Sequence, residues 1–459
     1  MKKILLVLCS FAFFFAAFAD RPKNIILFIG DGMSTPQRMI AEEFSRFINK
    51  KELKMNHLER QATTRTCSAN SIITDSAAAA TAIACGVKTN NGSVGVDPKR
   101  NKVYSSAVSA AQSGRRVGIV TSVTINHATP AGFYGHRKSR SDGYGLGLDL
   151  VASGFDYFAG GVVTKHDDEK HPEYKGDIYD VAAKAGYRVI RDDPDAFRAL
   201  KPGSGKVIFS VDRISRSTLP FSIDSDVFKT VPSLAELTAK GIELLDNEKG
   251  FFMMVEGGRI DWAGHSNDAA ANLHDVLALN EAVLVALDFA EKNKDTLVIV
   301  TGDHETGGMT MGFASTGSKI YFDRLAKQKC STNQFSKDLA AMNPRPDSID
   351  DLKPVVSEKY GLVFGDKDDP MFVSEADLEL LENAFKKDIN AKNYAFDKFC
   401  SAVNGVFSRK CGIGWTSGSH TALPVLTTAT GPGSEKIAGF LDNTDLSKIV
   451  KSLLERDGC

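Results

Sequence analysis

Thr74-Asp75-Ser76 opens an uncharged, alanine-rich stretch that ends at Cys85-Gly86. Alanines are strong helix formers and a glycine at 86 suits a left-handed C-terminal cap, so a short buried helix is expected to begin at Ser76. A hydroxyl there faces backbone N–H groups without partners and the positive end of the helix dipole. Both favour a serine alkoxide and a phosphoryl group attached to it. The stretch alone would serve equally as a capped core helix, so its chemistry depends on what the rest of the chain brings to it.

What the chain brings is carboxylates and imidazoles. Glu256 follows an apolar run, and Asp261 and His265 stand four apart just beyond it, so a helical turn there would point both at one metal ion. Asp303 and His304 are neighbours at the end of another apolar run, where burial costs desolvation unless something binds them. Asp31 lies just past a third run, Thr129 past a fourth, and His420 follows Gly418-Ser419. Sorted by donor type, Asp261, His265 and His420 suit zinc. Asp31, Asp303 and His304 suit a second zinc with Ser76 as an exchangeable ligand, and the oxygen-only set Asp31, Thr129 and Glu256 suits magnesium.

The apolar runs 24–29, 117–123, 251–255 and 296–300 are too short for typical helices and read as strands buried on both faces. Each runs on to a polar residue. Helical patterns separate them, among them 233–247, opened by a Ser233/Glu236 capping box, and 268–292. This alternation predicts one large α/β domain whose central, mainly parallel sheet is flanked by helices on both faces. Ligands of such sheets bind beyond the carboxyl ends of the strands, where Asp31, Thr129, Glu256, Asp303 and His304 should converge. Between 315 and 411 the alternation stops. That segment is charged and mostly helical, most clearly at 374–388, and is expected to form an inserted helical lobe. Sheet pattern returns at 422–429, and an amphipathic helix at 446–454 closes the domain.

The chain has 459 residues, 42% hydrophobic and 25% charged, with a formal net charge of −1. Nothing in that balance suggests nucleic acid or an anionic membrane as a partner. Lys2-Lys3, an apolar run over 4–18 and Ala17-Phe18-Ala19 before Asp20 read as a cleavable signal peptide, residues 1–19. The expected mature chain, 20–459, is periplasmic or secreted, without a stable membrane anchor because the run is shorter than a span. Cleavage leaves Cys67, Cys85, Cys330, Cys400, Cys411 and Cys459. An oxidising destination permits disulfides, and Cys400 with Cys411 is the favoured pair because only a short loop must close. His57, His136, His166, His171 and His274 are expected to be structural or exposed, and 201–206, which lacks the Gly and Ser/Thr of a phosphate loop, reads as a surface turn.

Taken together, Gly30-Asp31-Gly32-Met33, Thr74-Asp75-Ser76-Ala77, His127-Ala128-Thr129-Pro130, Arg140, the 256–265 stretch, Gly302-Asp303-His304-Glu305 and His420-Thr421 strongly resemble the alkaline phosphatases. They fall in that family's order and cover most of the chain outside the lobe. The resemblance implies a metal-dependent enzyme hydrolysing small-molecule phosphate monoesters. It makes Ser76 the nucleophile that becomes phosphoserine and Arg140 the clamp on phosphate, with Asp75, His127 and Trp262 beside the substrate. It also implies two zinc ions and one magnesium ion per subunit, divided among the three sets above, and a homodimer. The chain departs from the best-known bacterial pattern at two positions, where His127 stands for an aspartate and Trp262 for a lysine. Weaker hold on magnesium and on product phosphate is expected to follow.

A phosphodiesterase or sulfatase on the same scaffold is the nearest alternative. The magnesium-type set favours a monoester, because it adds positive charge near the extra non-bridging oxygen. A secreted metal or phosphate binder would need neither Ser76 nor Arg140, and a Ser-His-Asp hydrolase would need a G-x-S-x-G turn that the chain lacks.

Overall fold

In the computed structural model, which describes residues 21–212, 218–391 and 395–455, the apolar runs become the middle of a ten-stranded sheet. The expected signal peptide and Cys459 lie outside the described residues. In chain order the strands are β1 (Asn24–Gly30), β2 (Arg60–Arg65), β3 (Arg116–Thr124), β4 (Tyr157–Gly161), β5 (Tyr187–Arg191), β6 (Lys206–Val211), β7 (Phe251–Gly257) and β8 (Thr296–Gly302). Then come β9 (Glu305–Thr306), β10 (Thr310–Met311), β11 (Ile413–Gly414), β12 (His420–Thr421), β13 (Val425–Thr430) and β14 (Gly439–Asp442). The large sheet runs β14-β2-β13-β8-β1-β7-β3-β4-β6-β5. Its pairings are parallel except those of β13, which is antiparallel to both β2 and β8.

Side chains on a strand alternate between faces, and here both faces are covered, which is why the central runs are apolar without interruption. Along β1, Ile26 and Phe28 enter one core with Val120, Met253, Val255, Val298 and Val300. Ile25, Leu27 and Ile29 enter the other with Val117, Ile119, Met254, Leu297 and Ile299. The Ala269–Lys292 helix packs on the first face; the Ser76–Cys85 and Asn443–Leu454 helices pack on the second. The expected capping box is present at Ser233 and Glu236, opening the Leu234–Leu245 helix.

From Phe322 to Cys411 the described chain is helical and loop, without a strand. Its apolar residues Phe335, Tyr360, Phe399 and Phe407 join the same core as Phe28 and Val300, so this segment extends the domain's core. The disulfide expected between Cys400 and Cys411 is absent, and both thiols are free and buried. They lie on one helix, Asp397–Cys411. The helical rise separates them by about 16 Å, whereas a disulfide needs Cα atoms within about 7 Å. No helix among the described residues is long and apolar enough to cross a membrane.

Candidate active site and metal centre

β8, β1, β7 and β3 are consecutive in the sheet, so the residues at their carboxyl ends share one rim. Asp31 follows β1, Glu256 is the penultimate residue of β7, and Asp303 follows β8. The Ser76–Cys85 helix points its N-terminus at this rim. Asp75 caps it, accepting from Ala78 N–H at 3.0 Å, and Gly86 closes it in the left-handed conformation at φ 76°. Ser76, 1% exposed, brings its Oγ to 3.3 Å from His304 Nε2 and 3.5 Å from Asp31 Oδ1. Arg140 is beside them: Nη1 donates to Asp75 Oδ2 at 3.2 Å, and Nη2 lies 3.2 Å from His127 Nε2.

The ligand atoms of Asp261, His265 and His420 gather within 4.8 Å of one another, as do those of Asp31, Asp303 and His304. The helical turn posited for 261–265 exists, as Arg259–His265. His265 Nδ1 donates to the carbonyl of Gly418 at 2.8 Å and His420 Nδ1 to that of Thr74 at 2.9 Å. A carbonyl only accepts, so Nδ1 carries the proton and the neutral form of each ring has its lone pair on Nε2. Those two Nε2 atoms face each other at 3.3 Å, with Asp261 Oδ2 3.4 Å from one and Oδ1 3.6 Å from the other. Three acceptors converging so closely fit a cation.

The third set gathers a further nitrogen beside its expected oxygens. Thr129 Oγ1 is 3.3 Å from Asp31 Oδ2, as the oxygen-only reading requires. His127 Nδ1, however, lies 3.9 Å from Asp31 Oδ2 and 3.8 Å from Glu256 Oε1, and these three groups form the cluster. An imidazole nitrogen therefore joins a set expected to be all oxygen. Backbone geometry is the reason: His127 immediately precedes the short Ala128–Ala131 helix, which turns its ring toward the same rim as Thr129.

Electrostatics and unmet hydrogen bonding agree on the kind of group these clusters suit. Burial, then repulsion from Asp303, Asp261 and Glu256, pushes the Asp31 carboxyl far above its usual range, and burial does the same to Asp303. Burial holds the His304 imidazole well below its usual value. Burial works to raise Asp261 too, but the hydrogen bond from His265 and the fields of His304 and His420 hold it below the carboxylate range. His265 is correspondingly raised to about 9, chiefly by Asp261. Asp303 Oδ2, Glu256 Oε1 and His127 Nδ1 are buried without a hydrogen-bond partner. Buried polar atoms are normally satisfied, so the donor set fits bound cations in all three clusters.

The sequence model of the family described as alkaline phosphatase matches residues 22–145 and 167–456. The chain belongs to the alkaline phosphatase family. It is 31% identical over 450 residues to alkaline phosphatase 3 of Bacillus subtilis, spanning 95% of this chain and 90% of that one. The structure of the Thermus thermophilus alkaline phosphatase matches with a TM-score of 0.80 at 27% identity, covering 95% of this chain and 92% of the other. A variant of the alkaline phosphatase from the Antarctic bacterium TAB5 matches with a TM-score of 0.66 at 25% identity, covering 96% and 100%. That variant has an aspartate in place of a histidine and holds Mg in its M3 site. The present chain is thus a phosphate monoester hydrolase and a metal-binding protein.

Other residues of this alkaline phosphatase support the ligands without announcing themselves in the sequence. Thr306 Oγ1 donates to Asp261 Oδ1 at 2.6 Å and lies 3.3 Å from His304 Nδ1, tying the two zinc-type sets together. Gln37 donates to Glu305 Oε1 at 2.7 Å and to the Thr306 carbonyl at 3.1 Å, which anchors β9 under them. Thr121 Oγ1 donates to Glu256 Oε2 and leaves Oε1 free to face His127. Gly32, at φ 72°, donates its N–H to Asp303 Oδ1 at 3.0 Å; a Cβ there would sit 2.7 Å from Asp261 Cα. The Gly-Asp-Gly pattern is the one sequence signal that could have marked such a close approach. Among the other histidines, His57 accepts its expected structural role against Glu42 at 2.7 Å, and His166 pairs with Asp177 at 2.8 Å.

Proposed function

We propose that this phosphomonoesterase acts through a covalent phosphoserine at Ser76, with two zinc ions and one magnesium ion per subunit. One observation supports the reading most: a buried serine hydroxyl at a helix N-terminus, within 3.5 Å of both an Asp and a His ligand, with an arginine tethered one residue away. Bound by Asp261/His265/His420, by Asp31/Asp303/His304 and by Asp31/Thr129/Glu256 together with His127, the ions would acidify the serine hydroxyl, steady the leaving alkoxide and offset phosphoryl charge. The chain's own groups supply the remainder. Ser76 Oγ forms the new bond to phosphorus as the bond to the leaving oxygen breaks. Free N–H groups of the helix's first turn stabilise the charge on the transferred group. The Arg140 fork matches two equatorial phosphoryl oxygens, a geometry lysine could not reproduce. Water then attacks phosphorus from the opposite side, releasing inorganic phosphate and restoring the serine.

Asp31 divides the site, with Oδ1 toward Ser76 and His304 and Oδ2 toward Thr129 and His127. The magnesium assignment for the third set is supported by its carboxylates and by the Mg in the TAB5 variant whose histidine became aspartate. A histidine at 127 in place of an aspartate then predicts a weaker hold on magnesium. A homodimer rests on the family resemblance, export to the periplasm or medium on the leader pattern of 1–19, and the inserted lobe of 315–411 on the break in sheet pattern.

Quenching a turning-over sample in acid with isotopically labelled phosphate ester tests the mechanism, alongside elemental analysis of the purified protein. Label is expected on the Ser76 peptide and absent from Ser76→Ala, whose turnover should fall by about 10³-fold or more. Label elsewhere, or none while turnover is confirmed, overturns the covalent route.

A further inference from the structure

Arg140 reaches the nucleophile helix by two routes. Its guanidinium donates to Asp75 Oδ2 at 3.2 Å. Its main-chain N–H donates to the Gly92 carbonyl at 2.7 Å, and Gly92 N–H donates in turn to the same Asp75 Oδ2 at 2.9 Å. The 91–92 turn therefore lies between the cap of the Ser76 helix and the backbone that carries the arginine. Beyond it, Val94 and Arg137 exchange both main-chain hydrogen bonds at 2.9 Å, and Ser93 Oγ donates to the Lys138 carbonyl at 3.3 Å.

Asn91 fixes this turn. Its Oδ1 accepts from Asp75 N–H at 3.1 Å, its Nδ2 donates to the Ile73 carbonyl at 3.0 Å, and its own N–H donates to Asn70 Oδ1 at 2.9 Å. A carboxamide carries an acceptor and a donor side by side, so it can bond an N–H and a nearby carbonyl of one extended strand at once. Gly92 follows at φ 86°, a left-handed conformation that other residues resist, and this directs the turn back toward Asp75. Asn91 is itself exposed and belongs to none of the three metal sets.

We propose that Asn91 is a positioning residue for the phosphate clamp, holding the main chain of residue 140 at a fixed offset from Asp75 and so from Ser76. The proposal rests on Arg140 being that clamp. A two-point grip on phosphate depends on the plane of the guanidinium, and the plane depends on where its backbone is held. Loosening the turn weakens phosphate binding and leaves the reacting atoms at Ser76 in place.

The test measures kcat, KM and inhibition by inorganic phosphate in the metal-loaded enzyme for Asn91→Ala, Arg140→Ala, the double variant and Ser93→Ala. Asn91→Ala should raise the phosphate inhibition constant and KM about five-fold, one hydrogen bond's worth, with kcat within about two-fold of the parent. Ser93→Ala removes a bond of the same turn that does not reach Asp75, and should leave the inhibition constant unchanged. With Arg140→Ala already present, adding Asn91→Ala should change nothing further. An unchanged constant in Asn91→Ala, when Arg140→Ala weakens phosphate, overturns this proposal alone; so does an equal effect with and without Arg140. An unchanged constant in Arg140→Ala overturns the clamp itself. Should Asn91→Ala fail to fold, Asn91→Asp, which keeps the acceptor for Asp75 N–H and sets an oxygen against the Ile73 carbonyl, carries the same comparison.

Discussion

Asp268 and Asp303 are equally cut off from water, 1% and 0% exposed, yet they live in opposite electrostatic worlds. Asp268 begins the Ala269–Lys292 helix. Its Oδ1 accepts from Ala271 N–H and Gln328 Nε2 at 3.0 and 2.8 Å, and its Oδ2 from the N–H and hydroxyl of Thr332, both at 2.7 Å. Nearby, Asp224 accepts from the N–H and Oγ of Ser331 at 2.8 and 2.6 Å. These carboxylates pin the helical segment to the sheet domain, and neutral donors answer every oxygen. Asp303 has donors on Oδ1 alone, from Gly32 and His304 N–H; its Oδ2 has none, and Asp31 and Glu256 stand close by. A buried carboxylate with a complete set of donors is a structural joint. One with an open lone pair among other carboxylates suits a cation.

Metal removal probes this contrast most severely. A chelator should abolish phosphomonoesterase activity, zinc should restore it, and magnesium should add to zinc but fail alone, because imidazole-bearing sets favour zinc. Full recovery with magnesium alone, followed by activity assay, would reverse the donor assignment.

Substitution separates the two kinds of carboxylate next. Asp268→Ala strands the Thr332, Gln328 and Ala271 donors and should cost about 3 kcal/mol in denaturant unfolding of the metal-free protein. Asp303→Asn keeps the Oδ1 acceptor and removes a group whose ionisation burial and neighbouring carboxylates oppose, so it should leave metal-free stability unchanged or higher while abolishing zinc-dependent activity. Equal destabilisation by both would erase the distinction.

His274, on the same helix as Asp268, offers a buried titratable group of a third kind. It packs edge-on against Phe44, and burial pushes its imidazole down to about 4. The unfolded chain therefore takes up the proton first as pH falls. Stability present above about pH 6.5 is lost toward pH 4, by about 3 kcal/mol from this group. Unfolding of metal-free His274→Phe should show a flatter acid limb over that window; an unaltered limb would mean that the histidine is not charged on unfolding.

The smallest expected effects tune the site. His127→Asp should tighten magnesium about ten-fold by restoring a third carboxylate, and Trp262→Lys should strengthen inhibition by phosphate through an added cation. Magnesium titration and phosphate inhibition, measured on each variant, check the pair; no change in either would show that positions 127 and 262 leave the third set indifferent.

The strands that build the rim were legible because burial on both faces leaves no choice but unbroken apolar residues, and the polar residue that ends each run marks where the sheet stops. Ser76 was legible from its helix signals, and two metal sets from donor type and place. The imidazole in the third set was not, since His127 and Thr129 lie two apart and nothing in their spacing says that both rather than one reach inward. Thr306 and Gln37 were invisible for a related reason: a neutral hydroxyl or amide carries no mark of function until its partner is known. The short separation of Cys400 and Cys411 suits a disulfide only across a loop, and the intervening residues are helical.

β13 carries a consequence for the order in which the molecule can come into being. Among the described residues it is the only strand linking the β14-β2 pair to the centre of the sheet, and it is made of residues 425–430. β2, although synthesised among the first strands, has no partner until almost the whole chain exists. His420, which precedes β13, arrives equally late. A nascent chain thus presents Ser76 and its helix long before it owns a complete site, and its closing contacts span most of its length, the kind that form slowly. Such a chain stays unlocked until those late residues arrive. The three ligand clusters are complete only once residue 420 has been made.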